Sequence, residues 1–232
     1  MKWVGVCCLA VSLTLATTAC QAGPEATQPP QPAPSSSLAG AEGTTAAAET
    51  PSAPAPAPAA APPVLSAEEQ VQLDQALIAA AKANNVPLVQ ELIGRGGDVN
   101  TKDAIQDSAF LYAGAEGFNE VLRLTLDAGA DVASTNRYGG TALIPASEHG
   151  HVETVRILIA AGVPVNHVNN LGWTAMQEAI LLNNGGPRQQ EVVRLLLDAG
   201  ADPDIRDREG RTALQNAERL GFAGIAALIR NR

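Results

Sequence analysis

Between Ser66 and Arg232 the apolar residues recur at helical spacing in short bursts, each followed by a glycine. Val152, Val155, Leu158 and Ile159 are placed so that their side chains share one face of a 3.6-residue helix, and Gly162 follows them. Just upstream, Leu143, Ala146 and Ser147 put one large and two small groups on a packed helical face, and Gly150 follows. Thr141 precedes that helix, where its hydroxyl can accept a backbone N–H as an N-cap. The pattern predicts two short helices, each ended by a residue free to take the left-handed conformation. One such unit cannot bury its own apolar stripe, so neighbouring units must stack to do it.

The unit repeats. Asp127-Ala128-Gly129-Ala130-Asp131, Ala160-Ala161-Gly162-Val163-Pro164 and Asp198-Ala199-Gly200-Ala201-Asp202 match one another, and Gly94-Arg95-Gly96-Gly97-Asp98 is an earlier copy. Their glycines at 96, 129, 162 and 200 stand 33, 33 and 38 residues apart. Ser108-Ala109-Phe110, Thr141-Ala142-Leu143, Thr174-Ala175-Met176 and Thr212-Ala213-Leu214 form a second series in step with the first. These residues resemble the ankyrin family, whose unit is a β-turn and two helices at a period of about 33 residues. The resemblance implies an all-α solenoid of about five units with β-hairpin tips. The units fall at about 66–102, 103–135, 136–168, 169–206 and 207–232.

The first unit opens with a Ser66/Glu69 capping box ahead of Leu73, Leu77 and Ile78, then Val89, Leu92 and Ile93. It lacks the hairpin entry and reads as an N-terminal cap. Ile225, Leu228 and Ile229 precede a polar Arg230-Asn231-Arg232 finish, so the array is expected to be capped at both ends and complete. Several residues depart from the family pattern. Four helix starts carry Ala where the family most often has Pro. Gln106 occupies the usual Gly site of the second unit, so that turn must differ or be strained. Pro145 is tolerated only if its helix starts cleanly at Thr141. Five extra residues within Leu182–Gln189 are expected to form a loop bulging from the stack, because Gly185-Gly186-Pro187 breaks a helix.

Upstream of the repeats the composition changes. Lys2, the apolar run Trp3–Ala16 and the small residues after it read as an export signal, too short to span a bilayer. Thr17-Thr18-Ala19-Cys20 resembles the lipobox of bacterial lipoproteins, in which cleavage before the cysteine leaves an N-terminal Cys that carries lipid. The resemblance implies a signal at 1–19, lipidation of Cys20 and attachment to the membrane on its extracytoplasmic side. Thr17 stands where that pattern usually has Leu, which leaves open ordinary cleavage after Ala19 or Ala22 and a soluble secreted or periplasmic protein. Eleven of the 16 prolines lie between Pro24 and Pro63. Residues 20–65 are therefore expected to be a disordered Ala/Pro-rich linker, extending at about 3.1 Å per residue as a stalk.

Charge and rare residues narrow the function. The region from Ser66 onward holds 21 Asp and Glu against 14 Lys and Arg, a net of −7, with no basic stripe for nucleic acid. It holds no cysteine, so neither a disulfide nor a cysteine metal site exists there. The His149-Gly150-His151 pair suggests a metal site, but His151 stands at the family's common Gly-His position, which supports the turn between helices. Ser147 is near both histidines in sequence yet falls on the packed face, and no phosphate loop or zinc-protease motif occurs. The chain is therefore expected to have no catalytic residue, cofactor or metal, and to be a monomer.

The family resemblance implies that partners contact the hairpin tips and the exposed side of the first helices. Carried over by position, the tips are Arg137, Tyr138 and Gly140; Asn170, Leu171 and Trp173; and Arg208, Glu209 and Arg211. Glu148, His149 and Arg219 lie at the helix ends. Tyr138 and Trp173 stand out because large aromatics are enriched at binding hot spots. Trp173 serves equally well as a packing residue between hairpins. The expectation is an extracytoplasmic, membrane-tethered module that binds an envelope protein of unknown identity through its concave face, with a structural spacer as the alternative and an enzyme as the third reading.

Overall fold

A computed structural model of the chain describes residues 65–232; the export signal, Cys20 and the linker as far as residue 64 lie outside the described residues. Ten helices occur in the described part. They are α1 (Ala67–Lys82), α2 (Val86–Gly94), α3 (Ala109–Glu116), α4 (Asn119–Asp127), α5 (Leu143–Glu148), α6 (Val152–Ala160), α7 (Ala175–Leu181), α8 (Pro187–Asp198), α9 (Ala213–Arg219) and α10 (Ala223–Arg230). Each odd-numbered helix packs on the helix after it and on the next odd-numbered one, and the even-numbered helices pack in their own row. The result is a two-layered, all-helical solenoid. Leu77, Phe110, Leu143 and Met176 from the first row meet Val89, Leu122, Leu158, Leu196 and Ile225 from the second, all fully buried. Burial of each such side chain contributes roughly 1.5–3 kcal/mol.

The expected β-hairpins are not strands; among the described residues no strand occurs, and the tips are turns. Each turn is held by the side chain of its first residue. The Oδ1 atoms of Asp103, Asn136, Asn169 and Asp207 accept from the backbone N–H groups two and four residues on, at 2.8–3.0 Å. Short Asp and Asn side chains reach their own backbone in this way and supplant strand pairing. The fourth turn residue has positive φ: Gly139, Gly172 and Gly210 lie at 69°, 81° and 75°, and Gln106 at 65°. Gln106 thus leaves the turn unchanged and bears the strain itself.

Helix starts follow the hydroxyl rule at three of four repeated positions. Ser108, Thr174 and Thr212 accept from the N–H three residues on, at 3.2–3.3 Å. Thr141 is the exception: its hydroxyl is buried without a hydrogen-bond partner among the described residues. The expected Thr141 N-cap is therefore absent, and α5 starts at Leu143 instead. The Ile144 N–H donates to the Thr141 carbonyl at 3.1 Å, a tightened first turn ahead of Pro145, which has no N–H to extend the ladder. The Ser66/Glu69 capping box forms as the sequence predicts, with the Ser66 N–H 2.8 Å from Glu69 Oε2.

The insertion in the fourth pair does not bulge freely. Pro187, at the first turn where a missing N–H costs nothing, opens α8 and extends it to 12 residues against nine in α2, α4 and α6. The remaining residues are tied down on both sides. Asn183 Nδ2 donates to the Glu148 carbonyl at 2.6 Å, Gln189 Nε2 donates to Asn183 Oδ1 at 3.0 Å, and Gly185 lies against the ring of Phe222, where a Cβ would stand 2.5 Å from Cγ.

Neighbouring units are also stitched between turns. Asn100 accepts from the Asp131 N–H at 2.7 Å and donates to the Gly129 carbonyl at 3.2 Å; Asn166 does the same to Asp202 and Gly200 at 2.8 and 3.3 Å. Ala133 stands where a third such Asn would be, opposite Pro164, which has no N–H to offer.

Candidate binding groove

The turns and the odd-numbered helices enclose a cavity of about 360 Å³ spanning α3, α5 and α7. Repeat geometry explains what reaches it. Counting from Ser108, Thr141 and Thr174, the fourth residues are Tyr112, Pro145 and Glu178, and the eighth are Glu116, His149 and Leu182. All six line the cavity. The middle residue of each turn supplies the rim: Ile105, Tyr138 and Leu171 are 50%, 53% and 44% exposed, and Tyr138 and Leu171 face the cavity. Apolar side chains are thus exposed on ordered turns beside the cavity.

Cations of the chain itself occupy part of the acidic and aromatic lining. Lys82 Nζ sits 2.5 Å from Asp103 Oδ2, 3.9 Å from Asp107 Oδ2 and 5.3 Å from the centre of the Tyr112 ring. The Arg137 guanidinium lies 4.8 Å from the centre of the Tyr138 ring, with Nη1 3.3 Å from Asp107 Oδ2. Both arrangements combine a carboxylate with an aromatic face, the pairing that holds ammonium and guanidinium groups. Asp103 is held below the usual carboxylate range: burial opposes this, but Lys82 and the turn N–H groups outweigh it.

Glu178 differs. It is 5% exposed, its Oε1 accepts from Asn169 Nδ2 at 2.7 Å, and its Oε2 accepts no hydrogen bond among the described residues. No lysine, arginine or histidine of the described residues forms an ion pair with it. Burial pushes its carboxyl up to about 7; the charge of Glu148 adds to this, while the Asn169 amide and His149 oppose it. His149 Nδ1 lies 2.9 Å from the Ala115 carbonyl, so that nitrogen carries a proton. Burial lowers His151, and His149 lowers it further. The His151 ring packs on Gly117, where a Cβ would stand 3.0 Å from the ring. The two imidazoles meet edge to face at 5.4 Å between centres.

Of the residues singled out from the sequence, Arg137, Tyr138, Glu148, His149 and Leu171 come together at this cavity. Trp173, Arg208, Glu209 and Arg211 do not line it. Trp173 is half-buried, Arg208 donates to the Asn170 carbonyl across the turn stack, and Arg211 Nη1 sits 3.8 Å from Glu209 Oε2. Tyr112, Glu178 and Leu182 escaped the sequence reading. Setting the four first helices in register at the fourth and eighth positions would have shown them.

A profile described as "Ankyrin repeats (3 copies)" matches residues 76–169 and 110–207, together more than half of the chain. The structure is similar to that of an ankyrin repeat domain from Acinetobacter baumannii AYE, with 59% identity, 67% of this chain and 79% of that one covered, and a TM-score of 0.66. It is also similar to the ankyrin repeat protein EF0377, with 40% identity, 66% and 78% covered, and a TM-score of 0.64. A chain from Escherichia coli (strain K12) named as an ankyrin repeat protein, YahD, is 50% identical over 52 residues. That match spans 22% of this chain and about a quarter, 26%, of the relative. The period of the sequence, the paired helices and these relatives agree, and the chain belongs to the ankyrin-repeat family.

Proposed function

We propose that the chain is a protein-interaction module that binds an envelope protein through its concave groove, held on the extracytoplasmic side of a membrane by lipid on Cys20. Ankyrin repeats are interaction modules, and the observation that carries the reading here is the groove. Side chains from three successive helix pairs converge on one cavity, and Tyr138 and Leu171 are left in solvent at its rim. Exposed aromatic and aliphatic side chains on rigid turns bind with little loss of conformational freedom. The export signal and the Cys20 motif support the tether, and the Ala/Pro-rich linker supports reach away from it.

Photo-crosslinking tests the surface. A benzoylphenylalanine placed at Tyr138 or Leu171 in the cells that make the protein is expected to give one discrete adduct. The same probe at Arg123, an exposed residue of α4 in the other helix row, gives none. Identical adducts from all three positions, or none from the first two, would refute the concave face as the interface.

A further inference from the structure

We infer that the groove recognises a lysine or arginine side chain from an extended segment of the partner protein, its cation seated against Glu178 and Glu148 and its stem against Tyr138 and Leu171. The inference rests on the reading of the concave face as the interface and adds the chemistry of what enters it.

Three observations carry it. Glu178 is nine-tenths buried, faces the cavity and leaves one carboxylate oxygen without a hydrogen-bond partner among the described residues. Its bond to Asn169 does not require a carboxylate on the helix: in the next unit the roles are exchanged, Asn216 Nδ2 donating to Asp207 Oδ2 at 2.7 Å, so a neutral side chain at the same helical position ties turn to helix with the carboxylate on the turn. A charge that the fold does not need, placed where burial is costly, is surplus to structure. Second, the lining is unbalanced. Asp107 is already paired with Arg137 and Lys82, whereas Glu116, Glu148 and Glu178 form no ion pair among the described residues. Third, the chain twice seats its own cation in this kind of pocket, Lys82 on Tyr112 and Arg137 on Tyr138, each against carboxylates. The carboxylates of Glu148 on α5 and Glu178 on α7 line the same cavity, and no lysine or arginine pairs with them among the described residues.

A peptide selection tests this. A randomised twelve-residue display library is panned on the purified full chain, and one selected peptide is titrated in two forms, with its fixed lysine and with norleucine there. Selected peptides are expected to share Lys or Arg at one position beside apolar residues. Norleucine should weaken binding by at least about tenfold. Glu178→Gln should erase the difference between the two peptides, Glu148→Gln should reduce it, and Tyr138→Ala should weaken both peptides alike. Equal affinity for lysine and norleucine, with Tyr138→Ala still weakening both, would overturn the cationic anchor and leave the groove as the interface. Peptides insensitive to every one of these substitutions, or no selection at all, would overturn the groove itself. Competition by free n-butylammonium at the peptide's own concentration would overturn the assignment to a protein segment.

Discussion

Replacing Glu178 with glutamine removes a buried charge while keeping the acceptor that Asn169 requires, and its effect on stability must depend on pH. In the unfolded chain the carboxyl titrates near its ordinary value of 4.5; in the folded chain it titrates at about 7. Below 4.5 both states hold the proton, and the two proteins differ only by a constant offset. As pH rises, the unfolded state loses its proton first, and the folded state of the wild type is progressively disfavoured until pH passes 7. Displacement from 4.5 to about 7, at ~1.4 kcal/mol for each pH unit, sets the full effect at no more than about 3–4 kcal/mol. Urea unfolding of both proteins at pH 4, 5, 6, 7 and 8.5 reads this directly. Asp207 is held low, with burial opposing and Asn216, Arg211 and the turn N–H groups prevailing; it favours the fold above its unfolded range and loses that contribution in acid. That term is common to both proteins and cancels in the difference. The variant should therefore gain stability relative to wild type by about 2–3 kcal/mol between pH 4 and 8.5. A difference that stays flat across that range would show that Glu178 is not a costly buried carboxylate.

Other outcomes follow from the same geometry. Gln106→Gly places a residue suited to φ 65° in the one turn that lacks it, and should raise stability by about 1 kcal/mol in urea unfolding; no change would mean the turn is relaxed. Ser147 is fully buried, and its hydroxyl has no partner among the described residues, so Ser147→Ala should be neutral or stabilising by up to about 1 kcal/mol by thermal unfolding; a clear loss would reveal a missing partner. Cys20→Ala should move the protein from the membrane to the soluble fraction on cell fractionation, and an unchanged distribution would exclude the lipid anchor.

The period, the glycine punctuation and the apolar stripes were enough to specify stacked helix pairs, because each of those signals is local and repeats in register. The tips show the limit of that kind of reading. Asp103, Asn136, Asn169 and Asp207 recur at fixed spacing, but only the folded backbone shows their side chains closing turns in place of strands. Thr141 looks like its counterparts and fails to cap, because Pro145 alters the turn that follows it. The insertion reads as a breaker, yet part of it starts α8, and contacts with Glu148 and Phe222 from adjoining units hold the rest.

The groove divides in the same way. Arg137, Tyr138, Glu148, His149 and Leu171 could be placed from repeat position alone, since a solenoid presents equivalent positions on one face. Glu178 could not. Its environment is made by α5 and by the turn at Asn169 as well as by its own helix, and burial, the neighbouring Glu148 and the unpaired oxygen exist only once the units stack. Sequence determined the fold and the face, because both arise from periodic local chemistry. Which carboxylate on that face is buried and, among the described residues, left without a cation was decided by tertiary packing, because desolvation and charge pairing depend on neighbours that are distant in the chain.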